Sequence, residues 1–149
     1  MRNAERRLKI ILRLVGSVMM LALFAVFMRV AWMALIHEWI GLGNFPEGPV
    51  IEYLARSVAA FYAVMGGQFW LVSFDVRRHA AVITYLAVIF VIFGVLVLVI
   101  DVWLELPMWW SLSEGPLTIL VGAVLLVLQK NIRRAAVPVG KDNPEEDNP

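Results

Sequence analysis

Inside a bilayer the backbone has no water to bond to, so an apolar run that crosses it must be helical. At about 1.5 Å per residue, a crossing takes roughly 20 residues. Apolar runs of crossing length, or close to it, occupy residues 10–36, 50–74, 80–104 and 113–129, separated by short polar loops. The hydrophobic share of 61% over 149 residues stands above the roughly 45 to 50% of soluble domains. The chain therefore reads as one all-α domain over residues 1–134, an integral membrane antiparallel four-helix bundle. Residues 135–149, AAVPVGKDNPEEDNP, are polar and rich in proline and acids, and read as a disordered cytoplasmic tail. The basic start MRNAERRLK before an apolar run imitates a secretory signal. The run is longer than the roughly 7 to 15 residues of a signal core and ends in no A-x-A site, so it reads as a retained first span.

Orientation follows from the cations beside the spans. Arg2, Arg6, Arg7 and Lys9 precede the first, Arg77 and Arg78 fill the second loop, and Lys130, Arg133 and Arg134 follow the fourth. The first and third loops hold Glu38, Glu47, Glu105 and Glu114 instead. Lysine and arginine stay on the cytoplasmic side, so both termini are expected there, in a multi-pass protein of the bacterial inner membrane. Trp32, Trp39, Trp103, Trp109 and Trp110 gather toward the opposite ends, as interfacial aromatics do.

The second span, VIEYLARSVAAFYAVMGGQFWLVSF, is the expected centre of the bundle. Ala55, Ala59, Ala63 and Gly67 form a stripe without bulk. Lipid tails are as apolar as leucine, so helices in a membrane gain by close backbone approach, which small residues permit. The short DVRRH loop predicts a hairpin between the second and third spans. The third, Val, Ile, Leu and Phe on all sides with Gly94 its only glycine, reads as the most lipid-exposed. The fourth is predicted to start at a capping pattern, Ser111 to Glu114 or Ser113 with Pro116 in the first turn, and is the shortest.

Charges inside the apolar runs mark the candidate site. Arg13 lies near the inner boundary, where it can snorkel. Arg29 and Arg56 lie about 10 Å and about 9 Å inside the outer ends of their spans, at matching depth. An unpaired arginine there costs at least a few kcal/mol, so each is expected to face an acid or a cavity. Glu52, one turn before Arg56, and Asp101 in the third span are the acids at that depth, with Glu38 and Glu114 as further candidates from the loops. Arg29, Glu52, Arg56 and Asp101 thus form either an interhelical ion-pair cluster or a ligand pocket. The absence of cysteine excludes thiolate metal sites and thiol redox chemistry. His37 and His79 fall on opposite sides of the membrane, so no metal centre and no cofactor is expected, and the charge pattern points to no nucleic acid.

The segments EYLARSVAAFYAVMGGQFWLVSFDVRR and MWWSLSEGP, within four spans on short loops, resemble small bacterial membrane proteins of the DoxX-like four-helix group. That resemblance, over about residues 52–122, implies a compact antiparallel bundle and no uniform chemistry. The cysteines of the group's redox-associated members are missing here, so no catalytic residue is carried over. The expectation is a non-enzymatic accessory subunit or binding scaffold, in contact with lipid and with another membrane protein or a second copy of itself. The alternative is a binder or carrier of a small amphipathic or anionic ligand, in an outward-facing cavity lined by Arg29, Arg56, Glu52 and Asp101.

Overall fold

The structure, a computed structural model, describes residues 2–136. Among them the chain forms α1 (Arg2–Met20), α2 (Leu23–Phe27), α3 (Val30–Trp39), α4 (Pro49–Ser73), α5 (Ala80–Trp103) and α6 (Met108–Ala136), with no strand. The stretches Asn3–Phe27, Ala80–Trp103 and Met108–Arg134 are long and apolar enough to cross a membrane. α4 matches them in length at 25 residues, but Glu52, Arg56, Gln68 and its small residues dilute its apolar character. Of the tail predicted to be disordered, Ala135 and Ala136 continue α6, and the rest lies outside the described residues.

Two of the expected spans need correction. The first is not one helix over residues 10–36. It yields a turn at Leu21 and Ala22, and then breaks at Met28 and Arg29, both extended at φ −70 and ψ 142. No proline or glycine stands there, so the break has a tertiary cause, described below. The fourth does not begin at residue 113. The Pro107 carbonyl accepts the Trp110 and Ser111 amides at 2.8 and 3.2 Å, which starts α6 at Met108 and makes it the longest helix, at 29 residues. Pro116 falls inside it, where its ring withdraws one N–H from the ladder. The capping pattern is not used: the Ser113 hydroxyl donates back to the Trp110 carbonyl at 2.9 Å. α5 ends in a Schellman turn, in which Leu106 N–H reaches the Asp101 carbonyl at 3.0 Å and Glu105 takes the left-handed position at φ +53.

The helices pack as two antiparallel pairs, α1–α2 with α4 and α5 with α6. In the first pair Gly16 and Gly66 cross. A Cβ on Gly66 would meet the Gly16 carbonyl oxygen at 2.6 Å, and one on Gly16 the Gly66 oxygen at 2.8 Å. The expected stripe of Ala55, Ala59, Ala63 and Gly67 is therefore turned slightly. Ala59 is buried, Ala55 and Ala63 are half-buried, and Gly67 faces open space with nothing within 4 Å.

In the second pair small residues recur every seven positions, as Ala80, Ala87 and Gly94 on α5 and as Gly115 and Gly122 on α6. A Cβ on Gly94 would meet the Gly115 oxygen at 2.8 Å, and one on Gly122 the Ala87 oxygen at 2.7 Å. The Gln129 amide donates to the Ala80 carbonyl at 3.3 Å at the end of the same seam. A seven-residue repeat keeps such a seam in register along a left-handed crossing. α5 thus has a buried face as well as the lipid-type face expected of it, where Val95 and Leu96 are about half exposed.

The expected α4–α5 hairpin exists in chain order but is not where those helices pack most tightly. Their turn is held locally: the Asp75 carboxylate accepts the Arg78 N–H at 3.1 Å, a bond that holds Asp75 below the usual aspartate range. Arg77 reaches across to Glu5 on α1 at 2.7 Å. All four long helices meet at this end, where Leu8, Leu12, Phe69, Val72, Val76, Ile83, Leu86, Leu125 and Ile132 make one core.

Candidate functional site

Next to this core the four long helices line a cavity of about 520 Å³ that is open on one side. α1 contributes Leu14, Val15, Val18 and Met19, α4 contributes Phe61, Tyr62 and Met65, α5 contributes Ile89, Phe90 and Phe93, and α6 contributes Leu117, Thr118 and Val121. The floor is set by the edge-to-face contact of Phe69 on Phe90, centroids 4.9 Å apart. Tyr62 and Thr118 are the polar residues of this lining. The Thr118 hydroxyl is already spent on the Glu114 carbonyl, at 2.8 Å.

Of the four charged residues expected to form one cluster, the structure brings two together. Arg56 Nε and Nη2 both donate to Glu52 Oε1, at 2.9 and 2.7 Å. Its remaining donors turn to the broken first span: Nη2 reaches the Met28 carbonyl at 2.9 Å, and Nη1 bonds the Val26 carbonyl. This is the tertiary cause of the break. A helix interrupted at Met28 leaves carbonyls without amide partners, and a guanidinium carries enough donors in a fixed fork to take two of them and a carboxylate together. Arg29 is exposed at the start of α3 and has no side-chain cap bond. Asp101 stands apart from Arg56.

Asp101 belongs instead to the α5–α6 seam, one repeat beyond Gly94. It is 3% exposed, and its Oδ2 is buried without a hydrogen-bond partner. Glu114 of α6 stands at the same end of this seam, beside Gly115, whose added Cβ would meet Leu98 and Gly94 of α5. In the sequence Glu114 reads as a loop acid, a helix cap and a candidate partner for the arginines. The signal that places it is the spacing of Gly115 and Gly122 against Ala87, Gly94 and Asp101, which pairs the two helices and sets both acids at the same end of the seam. Among the described residues the ion pairs are Arg56 with Glu52 and Arg77 with Glu5, so neither Asp101 nor Glu114 has a basic partner.

Midway along α1, beside Leu14 of the cavity lining, Arg13 lies over the rings of Trp70 and Phe74, 5.2 and 5.7 Å from their centroids, and donates to the Ser73 hydroxyl at 3.3 Å. The arrangement as a whole is an apolar chamber with Tyr62 and Thr118 as its polar lining, set against a closed core. It can hold an apolar body. No family model, curated protein or solved structure matches the chain.

Proposed function

We propose that the chain is a multi-pass protein of the bacterial inner membrane, a four-helix bundle with both termini cytoplasmic. Its role in this reading is to bind an apolar or amphipathic molecule from the bilayer in the cavity between its helix pairs. The observation that carries the binding role is the cavity. Its volume of about 520 Å³ falls within the roughly 300 to 1,000 Å³ of small-molecule sites, which are likewise mostly apolar with a few placed polar groups. An accessory-subunit role has no comparable support, since the exposed apolar faces are those lipid would cover. The compact antiparallel arrangement is of the kind implied by resemblance to the DoxX-like group.

Four crossings are supported by the course of α4. It runs antiparallel along α1–α2 from the Arg13–Ser73 contact to the Arg56–Met28 contact, so a layer crossed by one is crossed by the other. The orientation is supported by the gathering of lysine and arginine at the closed end. Reporter fusions at Phe45 and Pro107 should score periplasmic, and fusions at Arg78 and after Ala136 cytoplasmic; the inverse pattern defeats the topology.

The binding role is tested by photolabelling in lipid nanodiscs with dodecanol carrying a diazirine on its chain. Label should concentrate on Phe61, Met65, Phe93 and Val121, and Met65→Trp, which fills the chamber, should remove it while lipid-facing labelling at Val95 persists. Uniform labelling, unaffected by Met65→Trp, would sink the role.

A further inference from the structure

We propose that Arg13, with Lys9 one turn before it on α1, binds the phosphate of an anionic phospholipid at the cationic end of the bundle. The arginine does not simply reach for water, as its place near the boundary suggests. Its guanidinium is drawn sideways onto α4, over the rings of Trp70 and Phe74 at 5.2 and 5.7 Å, with Nε donating to the Ser73 hydroxyl at 3.3 Å. Each support is itself fixed. The Trp70 indole N–H donates to the Ser17 hydroxyl at 3.1 Å, and the buried Ser73 hydroxyl donates to the Trp70 carbonyl at 2.7 Å.

Aromatic rings take the face of a guanidinium and leave its N–H edge free. Among the described residues Arg13 is bonded through Nε alone, so the N–H groups of Nη1 and Nη2 are held in place without an acceptor. Ser73 is the last residue of α4 and Phe74 its C-cap, which sets this fork level with the end of the span, where lipid phosphates lie. The charge there is unanswered. Arg6, Lys9 and Arg13 follow one face of α1 at spacings of three and four, where like charges repel. The acids of this end that the structure describes are engaged: Glu5 holds Arg77, and Asp75 accepts the Arg78 N–H of its own turn. A phosphodiester brings two oxygens that match the Arg13 fork, and Lys9 adds a point charge. A zwitterionic lipid offers the same oxygens but carries an ammonium that the row of cations repels. Leu14 and Leu71, exposed and adjacent in sequence to Arg13 and Trp70, offer the lipid's chains a surface that a soluble phosphate would leave bare.

The inference is independent of the chamber. Its test is native mass spectrometry of the full chain in detergent, titrated with phosphatidylglycerol or phosphatidylcholine of identical acyl chains. Phosphatidylglycerol should be retained about tenfold more strongly, equivalent to about 1.4 kcal/mol. Arg13→Gln should bring the two lipids level, and Arg13→Lys should keep part of the preference, since it keeps the charge without the fork. Arg78→Gln, which removes a charge from the same end but not from the site, should keep all of it. Should Arg13→Gln fail to fold, the contrast between Arg13→Lys and Arg78→Gln decides. Equal retention of the two lipids by the native chain, or an equal fall in the Arg78 and Arg13 variants, overturns the site and leaves only a diffuse basic surface. Displacement of the bound lipid by inorganic phosphate at the same concentration overturns the lipid assignment in favour of a soluble anion.

Discussion

Gly94→Leu should separate α5 from α6 and lower stability by about 3 kcal/mol or more, at the upper end of what overpacking a core does. The size follows from what the new side chain would strike. Its Cβ alone would stand 2.8 Å from the Gly115 carbonyl oxygen and 2.9 Å from the Ile119 amide nitrogen, which are backbone atoms that cannot rotate away. Gly122→Leu should do nearly the same, against the Ala87 oxygen at 2.7 Å. Gly67→Leu is the control, since nothing lies within 4 Å of its added Cβ, and it should fall within about 0.5 kcal/mol of the parent chain. Reversible unfolding in mixed micelles measures all three; a Gly67 variant as damaged as the Gly94 variant would mean the helix faces are misassigned.

That contrast also marks how far the sequence could be read. Small residues predict close approach, and α4 does approach α1 closely, but the stripe chosen at a spacing of four selected Gly67 where Gly66 makes the crossing. Neighbouring glycines differ by about 100° around a helix, so the choice between them depends on the direction from which the neighbour comes. In α5 the seven-residue series of Ala80, Ala87, Gly94 and Asp101 was present in the sequence but hidden among branched residues that looked uniform. Its meaning needed the matching series on α6. The candidate site was legible to the same extent. Glu52 and Arg56, one turn apart, are joined as local spacing suggests. Asp101 and Glu114 come to the same end of one seam only through helix pairing, and Arg29 at matching depth joins neither, because the helix that carries it breaks at that point.

Arg56→Ala should lower stability by about 2 to 4 kcal/mol, from the stranded Glu52 charge and the two carbonyls left without a donor. Partial exposure of both side chains, 29% and 40%, keeps the loss below that of a fully buried pair. Arg56→Lys should recover part of it, since an ammonium can meet Glu52 or a carbonyl but lacks the planar fork that serves both. Glu52→Gln should be mildest, because its amide oxygen still accepts. Hydrogen exchange adds a local readout. In Arg56→Ala the Met28 and Arg29 amides should become more protected as the extended pair folds back into helix. If all three variants unfold at the same denaturant concentration as the parent, the guanidinium does not hold the break.

The Arg56 contact also orders events in time. When residues 10–36 first enter the membrane, Arg56 has not yet been inserted beside them, and an interruption at Met28 would leave bare carbonyls in hydrocarbon at a penalty of several kcal/mol. The unbroken helix that the sequence alone suggests is then the cheaper form, so it describes the newborn segment. Only when α4 docks, Gly66 against Gly16 and Arg56 alongside Val26 and Met28, does bending become affordable. The kink is therefore expected to form late in biogenesis, after α4 has docked on the first helix.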